Sequence, residues 1–376
     1  MKRTLMILFA LLVLGAAGAL LFAWSGLYSV AATKGHWAIS RWFLHFGLEN
    51  SVETHALPIS APPLDDPAMV YRGLGHYEAG CKPCHGAPGE AGNPIFKQML
   101  PQPPHLPDRA GKWTDAELFW IIKHGLKYGG MPAWIAQERD DEVWSIVAFV
   151  GRMADMPAEE YRRLARNDTM FDPEQVEETA GLIAAAGPVG DSLLACARCH
   201  GLRGEGGGAG AFPRLAGQKA DYLYQTLKAY AEGTRPSGIM QPIAAELDEA
   251  ETRRLAEHYA AMPAPAAPMV PPADAAAVKL GETIARDGLP DQGIPACATC
   301  HGGADAAKSD NALYPDLRGQ HAPYLIQQLR LWKTGGRGGS PLSEIMAAAA
   351  RPLTAEQIEA VSHYYGSLPP AGEATP

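Results

Sequence analysis

The hydrophobic residues of this chain form one long apolar run near the start and then a series of shorter amphipathic segments. The run from Leu5 to Trp24 contains no charged residue, and about twenty apolar residues let a helix cross a bilayer. Lys2 and Arg3 precede it, which favours a cytoplasmic start. The run is longer than the apolar stretch of a cleaved signal, and no small-residue cleavage site follows directly. We therefore expect residues 1–33 to be a retained transmembrane anchor.

The next segment, residues 34–64, mixes aromatic with basic and histidine residues. This pattern suits a short helix lying at the membrane surface, and it suits equally a connector packed on the domain that follows. Three of its residues, His36, His45 and His55, are histidines, but only His45 and Glu49 fall four apart on a helix. Two ligands do not close a metal site, so we expect surface histidines.

From residue 65 onward, a single plan of helices and loops occurs three times, which predicts an all-α fold of three small domains. Capping boxes at Thr114-x-x-Glu117 and Thr354-x-x-Gln357 open two of the helices. The predicted domains and connections are 65–156, a linker helix 157–184, 185–263, a Pro/Ala linker 264–272, 273–370 and a tail 371–376.

Each repeat contains the sequence Cys-x-x-Cys-His, which is the attachment sequence of a c-type haem. The two thiols bond to the porphyrin, and the histidine binds the iron. The motifs account for all six cysteines of the chain: Cys81, Cys84 and His85; Cys196, Cys199 and His200; Cys297, Cys300 and His301. A thioredoxin-like or zinc-ribbon function would not require a histidine after every pair. The sequence therefore predicts three covalently bound haem c groups.

Covalent haem also predicts the compartment, because haem c is attached on the outer side of the bacterial inner membrane. We expect the haem domains to lie in the periplasm, held by the anchor. The formal net charge of −9 argues against nucleic acid as a partner, since phosphate contacts need a basic face.

A methionine is available in each repeat as the second axial ligand. Met131, Met240 and Met346 follow their haem histidines by 46, 40 and 45 residues, in what we predict to be a loop before the last helix. Met99 follows its motif too closely by this spacing, and His321 has a lysine as its counterpart in the preceding repeat. The sequence therefore predicts His/Met ligation of all three irons.

A Pro-x-Leu triplet also recurs in register, beginning at Pro104, Pro213 and Pro315. We predict that each proline carbonyl accepts the Nδ1 proton of the haem histidine and so fixes its tautomer.

These residues carry a resemblance to a known family. The runs 212–223 and 314–325 share the pattern Pro-x-Leu-x-Gly-Gln-x-x-x-Tyr-Leu, by which the second and third repeats resemble the two halves of a dihaem cytochrome c4. The first repeat resembles a single-haem class I cytochrome c, with 129–134 as its methionine loop. The resemblance implies class I cytochrome c domains and electron delivery to a terminal oxidase.

We therefore expect an electron-transfer protein rather than an enzyme. Its donor would be a quinol-oxidising complex or a small cytochrome, and its acceptor a haem-copper terminal oxidase. Two alternatives remain open at this point. One is the cytochrome subunit of a membrane-bound alcohol or sugar dehydrogenase, and the other is a dihaem peroxidase, which would need an iron with a displaceable ligand.

Overall fold

The structure is a computed structural model, and it describes residues 1–165, 190–264, 275–303 and 309–370. Within these ranges the regular structure is helical, and the only β contacts are two isolated bridges, Gly207 with Phe212 and Leu289 with Ile294. The all-α prediction is confirmed.

The N-terminal helix α1, Lys2–Ser25, is long and apolar enough to cross a membrane. None of its residues is buried by the rest of the chain. The ring of Trp37 lies 5.8 Å from that of Phe22 and 5.0 Å from that of Tyr28. These contacts close the corner between α1 and the next helix, α2, Ala38–Ala56.

Helix α2 packs on the first repeat at its C-terminal end, as expected of a connector, and its location at a membrane surface stays a prediction. Its N-terminal half exposes large aromatic side chains, including Trp42 and Phe43. Its C-terminal half packs on the first repeat, where Val52 and Ala56 are buried and the His55 ring stacks on Trp120. No cluster of metal-ligating side chains occurs in the described residues, these histidines included.

The first repeat, called unit 1, is built around two crossing helices. Its helices are α3 (Pro67–His76), α4 (Lys82–His85), α5 (Asp115–His124), α6 (Asp140–Met153) and α7 (Ala158–Ala165), and a π-helical turn, Tyr77–Cys81, joins α3 to α4. Helix α3 meets α6 at Gly73, where a Cβ atom would lie 1.9 Å from the Ser145 carbonyl oxygen. Only glycine permits this approach.

Units 2 and 3 follow the same plan. The helices of unit 2 are α8 (Gly190–His200), α9 (Ala220–Ala231), α10 (Met240–Ala245) and α11 (Glu249–Ala261). Those of unit 3 are α12 (Ala275–Arg286), α13 (Ala298–His301), α14 (Ala322–Thr334), α15 (Ser343–Ala350) and α16 (Ala355–Ser367). At the crossing of α12 and α16, a Cβ atom on Gly281 would lie 2.2 Å from the Ala360 carbonyl oxygen.

Both predicted capping boxes are confirmed at the starts of α5 and α16. The prediction that the candidate methionines lie in loops is wrong for two of the three. Met131 is in a loop, but Met240 begins α10 and Met346 lies within α15. Four alanines follow Met346, and alanine is the strongest helix former. Most of the linkers 157–184 and 264–272 and the tail 371–376 lie outside the described residues.

Candidate haem sites

The three Cys-x-x-Cys-His motifs end in the same backbone geometry. Each histidine closes a helix, and the glycine after it adopts a left-handed conformation, with φ of 72° at Gly86, 78° at Gly201 and 73° at Gly302. Such a residue stops the helix at the histidine without steric cost. The chain therefore turns away directly after each candidate iron ligand.

Each motif histidine is bonded to the predicted proline carbonyl. The Nδ1 atoms of His85, His200 and His301 lie 2.9, 3.0 and 2.9 Å from the carbonyl oxygens of Pro104, Pro213 and Pro315. A carbonyl only accepts, so Nδ1 must carry the proton and donate. The Nε2 lone pair is then left available for iron, and the prediction of this contact is confirmed.

Burial keeps these histidines in the form that binds metal. His200 and His301 are 8 % exposed, and burial lowers the pKa of both, as it lowers the pKa of His85. A neutral imidazole retains the lone pair that a protonated one loses.

Most of the motif cysteines lie in environments that disfavour the thiolate. All six are free of disulfides. Burial raises the pKa of Cys81 to about 12 and that of Cys196, Cys199 and Cys297 to about 11. A redox-active cysteine needs a lowered pKa, so these environments disfavour the thioredoxin-like alternative.

One cavity of about 490 Å³ connects the candidate sites of units 2 and 3. Its lining contains both complete sets of motif side chains together with the candidate axial methionines: Cys196, Cys199, His200 and Met240; Cys297, Cys300, His301 and Met346. The structure thus brings Met240 to the same cavity as His200, and Met346 to the same cavity as His301. Most of the remaining wall is apolar, as a porphyrin requires.

Five arginines line the same cavity, and two of them, Arg235 and Arg337, lie close along the chain to the candidate axial methionines of their units. Arg235 is 5 % exposed, and its hydrogen-bond partners include Tyr324 and Gln328. Arg337 donates to Gln328 and Tyr222, and its Nε is buried with no partner. No carboxylate within the described ranges pairs with either arginine.

The chemistry of this pair fits an anionic cofactor. Burial alone would raise the pKa of Tyr222, but Arg337 and Arg235 outweigh it and lower the pKa to about 8. A buried positive potential of this kind stabilises an anion. The two propionates of a haem supply that charge, so the residues present fit the predicted group.

Unit 1 presents a second methionine that sequence spacing had set aside. A Cβ atom on Gly130 would lie 2.1 Å from the Met99 Cε atom, so Met99 lies against the loop that carries Met131. The loop after His85 brings Met99 next to the loop that carries Met131. Sequence spacing from His85 therefore does not decide which of the two methionines would bind iron. Both Met99 and Met131 are half-buried.

Unit 1 also holds the segment that leads into Met240. The Glu142 carboxylate of α6 accepts hydrogen bonds from Ser237 Oγ at 2.8 Å and from the Gly238 N–H at 2.7 Å. Ser237 Oγ in turn accepts the Met240 N–H at 3.3 Å. The Trp134 Nε1 donates to the same carboxylate. Glu142 therefore joins the methionine loop of unit 1 to the segment of unit 2 that leads into Met240.

Helical units that each carry a Cys-x-x-Cys-His motif, with the tautomer of its histidine fixed by a proline carbonyl, define a c-type cytochrome. Family models agree: residues 190–280 and 278–369 match cytochrome c, and residues 68–150 match subunit III of the cbb3-type cytochrome c oxidase. The chain belongs to the cytochrome c family, and its second half is a segment of the dihaem cytochrome c4 type.

Individual relatives cover about half of the chain. It is 37 % identical over 186 residues to a thiosulfate dehydrogenase electron acceptor of Stutzerimonas stutzeri, covering 50 % of this chain and 84 % of that protein. It is 36 % identical over 198 residues to cytochrome c4 of Thiocapsa roseopersicina, covering 50 % and 99 %. The crystal structure of reduced cytochrome c4 from Pseudomonas stutzeri aligns with a TM-score of 0.43 at 32 % identity, covering 49 % and 97 %.

Sequence reasoning missed the residues that act between units. Glu142 looks like an ordinary first-turn acid of a helix, and no local pattern connects it with Ser237. Arg235 and Arg337 could have been suspected, because each lies a few residues before the candidate methionine of its unit.

Proposed function

We propose that this chain is a membrane-anchored, periplasmic electron carrier with three covalently attached haem c groups. Residues 65–156, 185–263 and 273–370 would each form one haem domain. The single observation that carries the proposal is the threefold contact of a motif histidine with a proline carbonyl at 2.9 to 3.0 Å.

The side chains would divide the work as follows. The cysteine pairs would hold the group covalently, and the histidine Nε2 atoms together with Met131, Met240 and Met346 would bind its iron. Arg235 and Arg337 neutralise carboxylates in the shared cavity. When bound, haem iron supplies a one-electron Fe(III)/Fe(II) couple. With a histidine and a methionine of the chain bound to it, each iron would have no position left for a substrate, which favours a carrier over a peroxidase.

Contacts between the units support passage of electrons along one molecule. Units 2 and 3 share the cavity that contains both sets of ligands, and Glu142 holds unit 1 against the Met240 loop. Methionine ligation raises the potential of haem iron relative to bis-histidine ligation, which suits the oxidising end of a respiratory chain.

The N-terminal half of the chain supports the proposed membrane anchor and the proposed electron acceptor. We propose that α1 is retained in the bacterial inner membrane and that the haem domains face the periplasm. The match of residues 68–150 to an oxidase subunit model supports a haem-copper terminal oxidase as acceptor. The donor would be a quinol-oxidising complex or a small cytochrome.

A second candidate function is that of electron acceptor for a periplasmic dehydrogenase. It is favoured by the 37 % identity to the thiosulfate dehydrogenase electron acceptors of Stutzerimonas stutzeri and Thiomonas intermedia. A thiosulfate dehydrogenase is then a better first choice than an alcohol or sugar dehydrogenase. Stopped-flow mixing of the oxidised protein with the dehydrogenase and thiosulfate distinguishes the two roles. Rapid reduction of the haems supports the role of dehydrogenase acceptor. If the haems are not reduced, the respiratory role is the one that stands.

The central experiment quantifies haem and axial methionine together in the purified, oxidised protein. Haem content is measured per chain, and the far-red methionine-to-iron charge-transfer band is measured per haem. We expect three haems per chain and a far-red band whose intensity corresponds to three methionine-bound haems. A high-spin signal with fewer bands would mean an open iron, and the proposed carrier function would then be wrong for that unit.

A further inference from the structure

Units 2 and 3 are joined by two glutamines that occupy equivalent positions in their sequences. Gln218 and Gln320 each end a Pro-x-Leu-x-Gly-Gln run, and they are 8 % and 5 % exposed. Each side chain crosses to the other unit and forms two of its hydrogen bonds there. The arrangement is reciprocal, as in an isologous interface between two equivalent subunits.

The contacts of each glutamine are directed to one backbone residue of the opposite unit. Gln320 Oε1 accepts the Arg214 N–H at 2.9 Å, and its Nε2 donates to the Arg214 carbonyl at 2.9 Å. Gln218 Oε1 accepts the Asp316 N–H at 3.0 Å, and its Nε2 donates to the Asp316 carbonyl at 2.9 Å.

The orientation of both amides is fixed by a further contact. Gln218 Oε1 also accepts the N–H of Lys219, and Gln320 Oε1 also accepts the N–H of His321, both at 3.0 Å. Two N–H groups point at each oxygen, so rotating the amide by half a turn would place donors against donors.

The targeted peptide groups are the ones that hold the haem histidines. The Arg214 N–H belongs to the same peptide group as the Pro213 carbonyl, which accepts from His200. The Asp316 N–H belongs to the peptide group of the Pro315 carbonyl, which accepts from His301. A chain of hydrogen bonds therefore runs from each histidine through one peptide group to the glutamine of the other unit.

Such a chain has a definite electronic direction. When an oxygen accepts from the peptide N–H, the peptide polarises and its carbonyl becomes a stronger acceptor. A stronger acceptor at Nδ1 pulls the proton away from the imidazole and makes it a more basic ligand. A more basic ligand stabilises Fe(III) over Fe(II), which lowers the midpoint potential of that iron.

We propose that Gln218 and Gln320 are positioning residues that tune haem potential across the interface between units 2 and 3. Gln218 of unit 2 acts on the haem of His301, and Gln320 of unit 3 acts on the haem of His200. The inference rests on the proposed function, because it requires that these histidines bind iron. It also makes docking of the two units a condition for the potentials of both.

The test measures each midpoint potential separately in the full-length haem protein, by a redox titration followed by NMR of the axial methionine methyl signals. Gln218→Leu is expected to raise the potential of the His301 haem and leave that of the His200 haem close to its original value. Gln320→Leu is expected to do the opposite. Far-ultraviolet circular dichroism of each variant guards against misfolding; where a leucine variant does not fold, Gln218→Met and Gln320→Met keep the side-chain length, remove the same hydrogen bonds and are expected to give the same shifts.

His321→Ala is the matched control, because it removes a side-chain contact between the same units, that with the Glu205 carbonyl at 2.9 Å, without touching either proline peptide or a residue that lines the shared cavity. It is expected to give no selective shift. The proposal is overturned if the glutamine variants shift the haem of their own unit, shift both equally or shift neither, while the methionine signals stay intact. Loss of those signals from the unmodified protein would instead refute the proposed function.

Discussion

Replacing Glu142 should release the Met240 segment from unit 1 before the protein unfolds. The carboxylate is 2 % exposed and accepts from four donors in two units, among them Ser237, Gly238 and Trp134. In the variant Glu142→Gln, an amide nitrogen replaces one carboxylate oxygen. At least one donor that now binds this oxygen would then face another donor.

The magnitude follows from those contacts. A hydrogen bond to a charged group contributes about 1.5–3 kcal/mol, and removing one partner of a buried charged pair costs about 3–5 kcal/mol. Arg139 keeps its contacts with Asp141 at 2.8 and 2.9 Å, so its charge is not left alone. We therefore expect Glu142→Gln to lower the free energy of unfolding by about 2–3 kcal/mol.

The assay is a guanidinium titration of the oxidised haem protein, followed by the far-red methionine band and by far-ultraviolet circular dichroism. The band of one haem should disappear at lower denaturant than the helical signal. Asp140→Asn in the same helix is the control, since its partner Lys123 is a surface one and such pairs contribute less than about 1 kcal/mol. If Glu142→Gln behaves like Asp140→Asn, the carboxylate does not hold the Met240 segment.

Three further changes test other parts of the structure. Burial lowers the pKa of His76, so the fold holds it neutral; the free energy of unfolding should fall as pH drops below about 6.5, where only the unfolded chain takes up the proton, and His76→Phe should reduce that slope in pH-dependent denaturation. Gly281→Ala should cost about 1–3 kcal/mol by overpacking, because the new Cβ meets backbone at 2.2 Å, whereas Gly151→Ala in α6, with open space around it, should stabilise the protein by about 0.5–1 kcal/mol in the same thermal melts. Met131→Ala should remove one haem's share of the far-red band, and Met99→Ala should leave it; the reverse result would assign Met99 as the ligand.

The parts of the fold that sequence predicted are those fixed by neighbours along the chain. A capping box at Thr114 needs only Glu117, and a haem motif needs only five consecutive residues. The contact from His200 to Pro213 was also predictable, because the triplet recurs in register with the motif. Local propensity could even have placed Met346 in a helix, given the alanines after it.

What sequence could not predict are contacts between residues far apart in the chain. The bond from Glu142 to Gly238 spans 96 positions, and nothing in either neighbourhood specifies the other. The glutamines lay in plain view within the repeated pattern, but a repeat alone does not say whether a side chain bonds within its own unit. That choice is made by how two folded units pack.

The corner at Trp37 and the packing of α2 on unit 1 bear on how far this protein travels. A helix of 19 residues measures about 28 Å at 1.5 Å per residue, and both of its ends are fixed by contacts. The helix is therefore a rigid spacer, and its contacts at both ends fix the position of unit 1 relative to α1. If α1 is retained in a membrane as proposed, unit 1 would meet its partners at a fixed position relative to that membrane, and its search for them would be confined to two dimensions.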